Sequence, residues 1–199
     1  MTNRQLAALE TKRKLLDAAK KIICEKGLTN TSVAEITKAC GVANGTFYTY
    51  FKRKEDVLFE LSEEVFGSIL EKSQAYEGSF TERLVYFMTS FSRYIEISSL
   101  KLCQEWVRNT VDPDLIENSA DKTKLERDIL AVKKLIEDGI KRGEVKADTP
   151  VDMLAHTLTD ILYGQMLCWD MSGGKHSFEE RTKEFCDNFL NSIISPYLL

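Results

Sequence analysis

Only 3 prolines interrupt the 199 residues, so little of the chain is barred from helix. The five cysteines, Cys24, Cys40, Cys103, Cys168 and Cys186, are odd in number and nowhere form a CxxC pair. That excludes the usual zinc, haem-attachment and dithiol signatures and points to reduced thiols acting as small hydrophobes, with a single thiol sensor as the alternative. No apolar run approaches the roughly 18 residues that a membrane-spanning helix needs. The N-terminus MTNRQLAALETKRK has no apolar stretch behind its charges. A cytoplasmic protein without a membrane partner is therefore expected. There are two histidines, no HExxH, no GxSxG, no glycine-rich phosphate loop beside a strand, and no Glu three residues before either His. No catalytic group, metal ligand set or cofactor site is expected from such a chain.

What is present is an ordinary globular composition, 43% hydrophobic and 29% charged, which excludes disorder and collagen-like structure. The length suffices for a buried core without staples. The net charge of −4 conceals an asymmetry. The first 56 residues carry 11 Lys and Arg against 6 Asp and Glu, or +5, and the remaining 143 carry 16 against 25, or −9. A basic head on an acidic body is the pattern in which one part meets a polyanion and the other does something else.

Helical spacing pervades the chain and no period-two alternation is sustained, which predicts an all-α protein. The first helix should run from about Arg4 to Lys26 with Leu15, Ala19, Ile22 and Ile23 inward, ended by Gly27. Ser32 and Glu35 form a capping box for a short second helix that carries Val33, Ile36 and Ala39 inward and stops near Gly41. A third helix follows, from about Asn44 to Phe51. Its faces separate cleanly: Phe47 and Phe51 point inward with Val42, while Gly45, Tyr48, Thr49 and Lys52 align on the opposite side. Such a stripe suits a major groove. Gly45 allows close backbone approach, Thr46, Tyr48 and Thr49 reach base edges or phosphates, and Tyr50, Lys52 and Lys54 hold phosphates at the flank. On geometry alone, a capped and solvated helix pair explains the same pattern equally well.

Residues 11 to 58, above all TSVAEITKACGVANGTFYTYFKRKEDVL, resemble the helix-turn-helix domain of the TetR family of bacterial transcriptional repressors. The resemblance rests on the TS opening, the Gly-Val turn, the Gly-Thr-Phe-Tyr core, Tyr-Phe and the Lys-Glu-Asp exit. It implies a three-helix DNA-binding domain over residues 1–53 and a helical effector-binding and dimerisation domain over 54–199, with about nine helices in all. It further implies phosphate contacts from Thr31 or Ser32, Tyr50 and Lys54, and base-edge contacts from Asn44, Gly45, Thr46, Tyr48 and Thr49. Two positions depart from the family pattern. Ala43 stands where a helix-capping Ser is common, and Thr37 where a small Ala is usual; the first costs about 1 kcal/mol of capping.

In the body, a fourth helix should run from about Lys54 to Tyr76 and a fifth from Phe80 to about Ile97, and Val111-Asp112-Pro113 should close a sixth. A seventh is expected from about Lys122 to Arg142, stopped by Gly143, then an eighth with Thr149 as N-cap and Pro150 as first residue, ending near Met171. A mobile Ser172–His176 connection, in which His176 is solvated, leads to a ninth helix opened by Ser177 and Glu180 and ending near Tyr197. In a TetR-like body the last two helices pair with a second copy. The stripe Leu154, Leu158, Ile161, Leu162, Gln165 and Trp169, with Phe185, Phe189, Ile193 and Ile194, fits such a four-helix interface, and burial within one monomer is the other reading. The family also keeps an effector pocket. Phe66, Tyr86, Phe87, Phe91, Tyr94, Cys103, Trp106, Tyr163, Met166 and Trp169 would line it for an apolar or flat ligand, with His156 as a polar contact, unless these aromatics are plain core. The resulting expectation is a homodimeric repressor released from a near-palindromic DNA operator by a small molecule. The alternative is a TetR-like regulator that answers to a protein partner or activates transcription.

Overall fold

The computed structural model describes residues 2–110 and 124–199. The expected Val111-Asp112-Pro113 stop and the start of a helix at Lys122 lie outside them. The main elements among the described residues are all helices, in the order α1 Asn3–Lys26, α2 Val33–Cys40, α3 Asn44–Tyr50, α4 Asp56–Ala75, α5 Phe80–Ser98, α6 Leu100–Thr110, α7 Lys124–Lys141, α8 Val151–Met171 and α9 Phe178–Phe185. The last helix passes through one π-helical turn, Cys186–Leu190, into an α-helical turn, Asn191–Ile194, and a closing 3-10 turn, Ser195–Tyr197. One antiparallel bridge, between Val145 and Leu198, ties the end of the chain to the α7–α8 loop. No helix among the described residues is long and apolar enough to cross a membrane.

Close contacts group the chain into two units, Met1–Glu64 with Lys101–Asn109, and Val65–Leu100 with Thr110–Leu199. In the first, α1 packs on α2 and α2 on α3. Leu15, Leu16, Ala19 and Ile23 of α1 are buried with Ile36, Phe47, Phe51, Val57 and Leu58. The Phe47 and Phe51 rings sit 5.0 Å apart, which anchors α3 at both ends of its inner face. In α2 the inward pair is Ile36 and Thr37, whereas Ala39, expected inward, is exposed. An eight-residue helix turns only a little over twice, and packing at Thr37 rotates Ala39 to the outside.

In the second unit, α7 packs along α8, and α5 along α9. Phe80, Leu84, Phe87, Met88 and Phe91 of α5 are buried with Leu135, Ile136, Leu154, Leu158 and Phe178. Two expected caps differ in detail. Thr149 is buried and its hydroxyl donates to Lys146 O at 2.7 Å, so α8 is preceded by Pro150 rather than capped by Thr149. Ser177 does accept from Glu180 N, yet the returning carboxylate is not Glu180. Glu96 of α5 accepts from Ser177 Oγ at 3.0 Å and from Glu179 N at 2.9 Å, capping α9 from across the unit. The Ser172–His176 connection, expected to be mobile, is pinned: Trp169 Nε1 donates to His176 O, and the half-buried His176 ring meets Ser172 Oγ through Nδ1.

Candidate nucleic-acid interface

The approach to α3 begins at a closed cap. Ser32 Oγ accepts from Glu35 N at 3.2 Å, while Glu35 Oε2 takes the Ser32 N–H at 2.9 Å and the Ser32 hydroxyl at 2.7 Å. Lys26 pairs with the same carboxylate. The Lys26 and Ser32 hydrogen bonds hold the Glu35 carboxyl well below its usual range, at about 2. Ser32 is exposed, with its hydroxyl shared with Glu35. Thr31 is buried and its hydroxyl donates to Gly27 O at 2.7 Å, so of the two residues offered for phosphate it is Ser32 that faces out.

Gly41 then makes the turn into α3 at φ +68, a left-handed backbone that a residue with a Cβ adopts only with strain. Ala43 precedes α3 without any side-chain cap, and on α3 itself Asn44, Gly45, Tyr48 and Thr49 are exposed. Tyr48 keeps 60% of its surface open, with its ring edge-on to the fully buried Phe47 at 5.6 Å. That contact fixes the ring without covering its hydroxyl. A Cβ at Gly45 would meet nothing within 4 Å, so the protein itself leaves that surface open for close approach. Thr49 donates to Gly45 O at 3.4 Å, Thr46 and Tyr50 are half-buried, and Lys52 is exposed.

Lys54 departs from the role expected of it. Its ammonium donates to Leu28 O at 2.9 Å, Thr31 O at 3.2 Å and Thr29 O at 3.4 Å. An ammonium has three N–H donors, and all three are directed at the α1–α2 connection rather than outward. The physical reason is that these carbonyls belong to a loop and have no helical partners of their own.

In the second unit the aromatics expected around an effector do gather. Phe66 meets Phe87 at 5.4 Å and Phe91 at 5.3 Å, both edge to face, and Phe91 meets Tyr163 at 6.5 Å. Phe178, which sequence reasoning missed, closes the group by stacking on Trp169 at 5.9 Å and meeting Phe91 at 6.3 Å. Met166 is buried and Tyr94 half-buried, while Tyr86 stacks on Tyr76 at 5.0 Å. The buried carboxylate of Asp128 accepts from the Tyr163 hydroxyl. Burial, then the Asp128 charge, drive the Tyr163 hydroxyl well above its ordinary range, so it remains a donor. Asp128, which sequence reasoning also missed, is in phase with Val132 and Leu135 on the apolar side of α7, a spacing that could have marked it. Cys103 and Trp106 are buried on the part of α6 grouped with the first unit. His156, expected as a polar contact here, is exposed on α8 instead.

The expected partner-facing stripe also needs correction. Leu158 and Leu162 are 0% and 3% exposed in a single copy, as are Leu154 and Trp169 at 4% each, so no second chain reaches them. Ile161 and Gln165 are half-buried, the latter accepting from Thr182 Oγ1 at 3.1 Å. The open side of α8 is Met153, His156, Asp160, Gly164, Leu167 and Met171, spaced as one helical face. On the last helix Phe189 is 62% exposed and stacks on the half-buried Phe185 at 6.2 Å; Ile193 is half-buried and Ile194 buried.

Residues 15–61 match the family model described as bacterial regulatory proteins, tetR family. Over 166 residues the chain is 26% identical to the fatty acid metabolism regulator protein of Bacillus subtilis, covering 81% of this chain and 84% of that one. Its fold is similar to that of the B. subtilis transcriptional regulator FadR in complex with stearoyl-CoA, with a TM-score of 0.66 at 21% identity over 92% and 98% of the two chains. It is similar also to a TetR-family regulator from Mesorhizobium loti, with a TM-score of 0.75 at 17% identity over the full length of both. The matched segment, Leu15 to Leu61, is the one that builds α2, the turn and α3, and the likeness in fold extends through the remainder: the chain carries the DNA-binding domain of the TetR family of bacterial transcriptional regulators.

Proposed function

We propose that this chain is a homodimeric repressor that binds a near-palindromic operator through α3 and leaves it when a largely apolar molecule occupies the aromatic group of the second unit. The carrying observation is the outer face of α3, where Asn44, Gly45, Tyr48 and Thr49 stand exposed over the buried Phe47. Side chains of that kind on a short helix read base edges, while Ser32, Tyr50 and Lys52 meet phosphates at the flanks. A second copy joined along Met153, Leu167, Met171 and Phe189 gives two such helices related by a two-fold axis, and half-sites about 10 to 10.5 bp apart, or a multiple of that.

For the effector, the rings of Phe66, Phe87, Phe91 and Phe178 supply apolar surface, and the Tyr163–Asp128 pair supplies a fixed polar group. A relative that regulates fatty acid metabolism, and a similar fold with stearoyl-CoA bound, support a long acyl chain as the ligand class. The helix α4 belongs to both units, since its residues Asp56–Ala75 span the boundary at Glu64 and Val65, which makes it a covalent route for coupling. A coupling of about 1 to 3 kcal/mol loosens the operator roughly 5- to 150-fold.

The test is selection of operator DNA from random sequence on the full-length protein, followed by titration of the complex with stearoyl-CoA and native mass spectrometry of the free protein. The expected result is a near-palindrome, a dimer, and loss of affinity in that range. Enrichment of no two-fold site would overturn the repressor reading. An operator complex indifferent to stearoyl-CoA, with a bare dimer in the mass spectrum, would overturn the effector assignment in favour of a protein partner.

A further inference from the structure

The first residue of α3 is tied to the helix behind it. Thr37 is 1% exposed, and its hydroxyl oxygen lies 2.5 Å from Asn44 Oδ1, 3.0 Å from Val33 O and 3.2 Å from Ala34 O. A hydroxyl has one proton to give, so these three acceptors compete for it. The distances decide the competition. A separation of 2.5 Å lies within the range of O–H···O hydrogen bonds and below that of N–H···O, and two oxygens approach so closely only with a proton between them. Thr37 therefore donates to Asn44 Oδ1, and the side-chain nitrogen of Asn44 is left on the exposed side. This bond joins α2 to the start of a helix that Ala43 leaves without a side-chain cap.

The orientation has a consequence for readout. An unrestrained Asn recognises adenine with two bonds, giving an N–H to N7 and receiving the N6 amino hydrogen on Oδ1. With Oδ1 turned inward, the second bond cannot form. Adenine then offers the outward N–H groups a single acceptor, N7, flanked by the N6 donor, whereas guanine offers two acceptors, O6 and N7. We infer that Thr37 is a positioning residue for base recognition: its hydroxyl holds Asn44 as a hydrogen-bond donor, so that Asn44 selects guanine over adenine at the base it meets. This rests on the reading of α3 as the helix that meets bases, and it adds a specificity device one layer behind the contact surface.

The experiment compares base preferences, from the same random-DNA selection, for full-length wild type, Asn44→Ala, Tyr48→Ala, Thr37→Val and Thr37→Ser. Asn44→Ala locates the base that Asn44 meets. There, wild type should favour guanine over adenine by about fivefold or more, the low end of what one good base contact discriminates. Thr37→Val keeps the side-chain shape and removes the hydroxyl, so that preference should vanish or move toward adenine while the positions governed by Tyr48 stay as they were. Thr37→Ser should restore the wild-type profile. Should Thr37→Val lose its helical circular dichroism, Thr37→Ala removes the same hydroxyl from a smaller side chain, and its profile decides in the same way. Adenine favoured by wild type, or an unchanged profile in a folded Thr37 variant while Tyr48→Ala alters its own positions, overturns the inference and leaves α3 as the reading helix. Unchanged profiles in both Asn44→Ala and Tyr48→Ala overturn the α3 reading, and the inference with it.

Discussion

Lys52 and Lys54 are two residues apart and do different work. Lys54 directs its three N–H donors to Leu28 O, Thr29 O and Thr31 O, which lie in the connection that delivers the chain to α2. Lys52 is exposed beside the open side of α3. Lys54→Ala should therefore lower stability by about 1.5 to 3 kcal/mol, the usual worth of a hydrogen bond from a charged donor, and leave the salt dependence of DNA binding nearly unchanged. Lys52→Ala should do the reverse. With one such lysine in each head of a dimer, the slope of log affinity against log salt should fall by about 2, because each lysine–phosphate pair contributes roughly 0.9 to it. Thermal melting and binding at several salt concentrations separate the two, and equal slope changes in both variants would return Lys54 to the phosphate-contacting set.

Among the helices, α2 is the one whose end chemistry is most exposed to solution conditions. Glu35 closes the capping box with Ser32 and pairs with Lys26, and these partners lower its carboxyl from 4.5 to about 2. A carboxyl depressed in the folded state contributes stability that is fully present above its unfolded value and is lost as pH falls through the folded one. The contribution of Glu35 is therefore complete above about pH 5 and should disappear between 4.5 and about 2. Glu35→Gln should melt below wild type at about pH 6, and the two melting temperatures should converge as pH falls through that window. A gap independent of pH would show that the cap, rather than the charge, carries the effect. In α9 the corresponding carboxylate comes from Glu96, so the entry of that helix depends on α5 being in place.

For the whole molecule, assembly should depend on the open face of α8 rather than on its most apolar residues. Leu158 fills the interior of one copy, and Leu158→Ala should cost about 2 to 5 kcal/mol of folding stability through the cavity it leaves. Leu167 is exposed beside Gly164, where a Cβ would meet nothing within 4 Å. Leu167→Asp should leave the monomer folded and shift the sedimentation equilibrium from dimer to monomer, with operator affinity falling because the two half-sites are no longer bound together. A dimer as stable as wild type in Leu167→Asp would place the two-fold interface on another surface.

The helical class, the limits of α1, α2, α3 and α5, and the outward side of α3 were legible because each depends on local sequence: apolar spacing, capping residues and the glycine at the turn. The capping box of Ser32 and Glu35 and the inward pair Phe47 and Phe51 are cases in which neighbours three or four residues apart carry the whole signal. The open and buried faces of α8 were not legible, since Leu154, Leu158 and Leu162 on one side and Met153, Leu167 and Met171 on the other are both apolar. Packing against α5, α7 and α9 chose between them. The same holds for the hydrogen bonds of Lys54 to carbonyls up to 26 residues away, of Glu96 to the start of α9, and of Thr37 to Asn44 across the turn. Periodicity records which residues share a face of one helix, and it carries no record of which donor finds which acceptor once the helices are brought together; that pairing belongs to the tertiary structure alone.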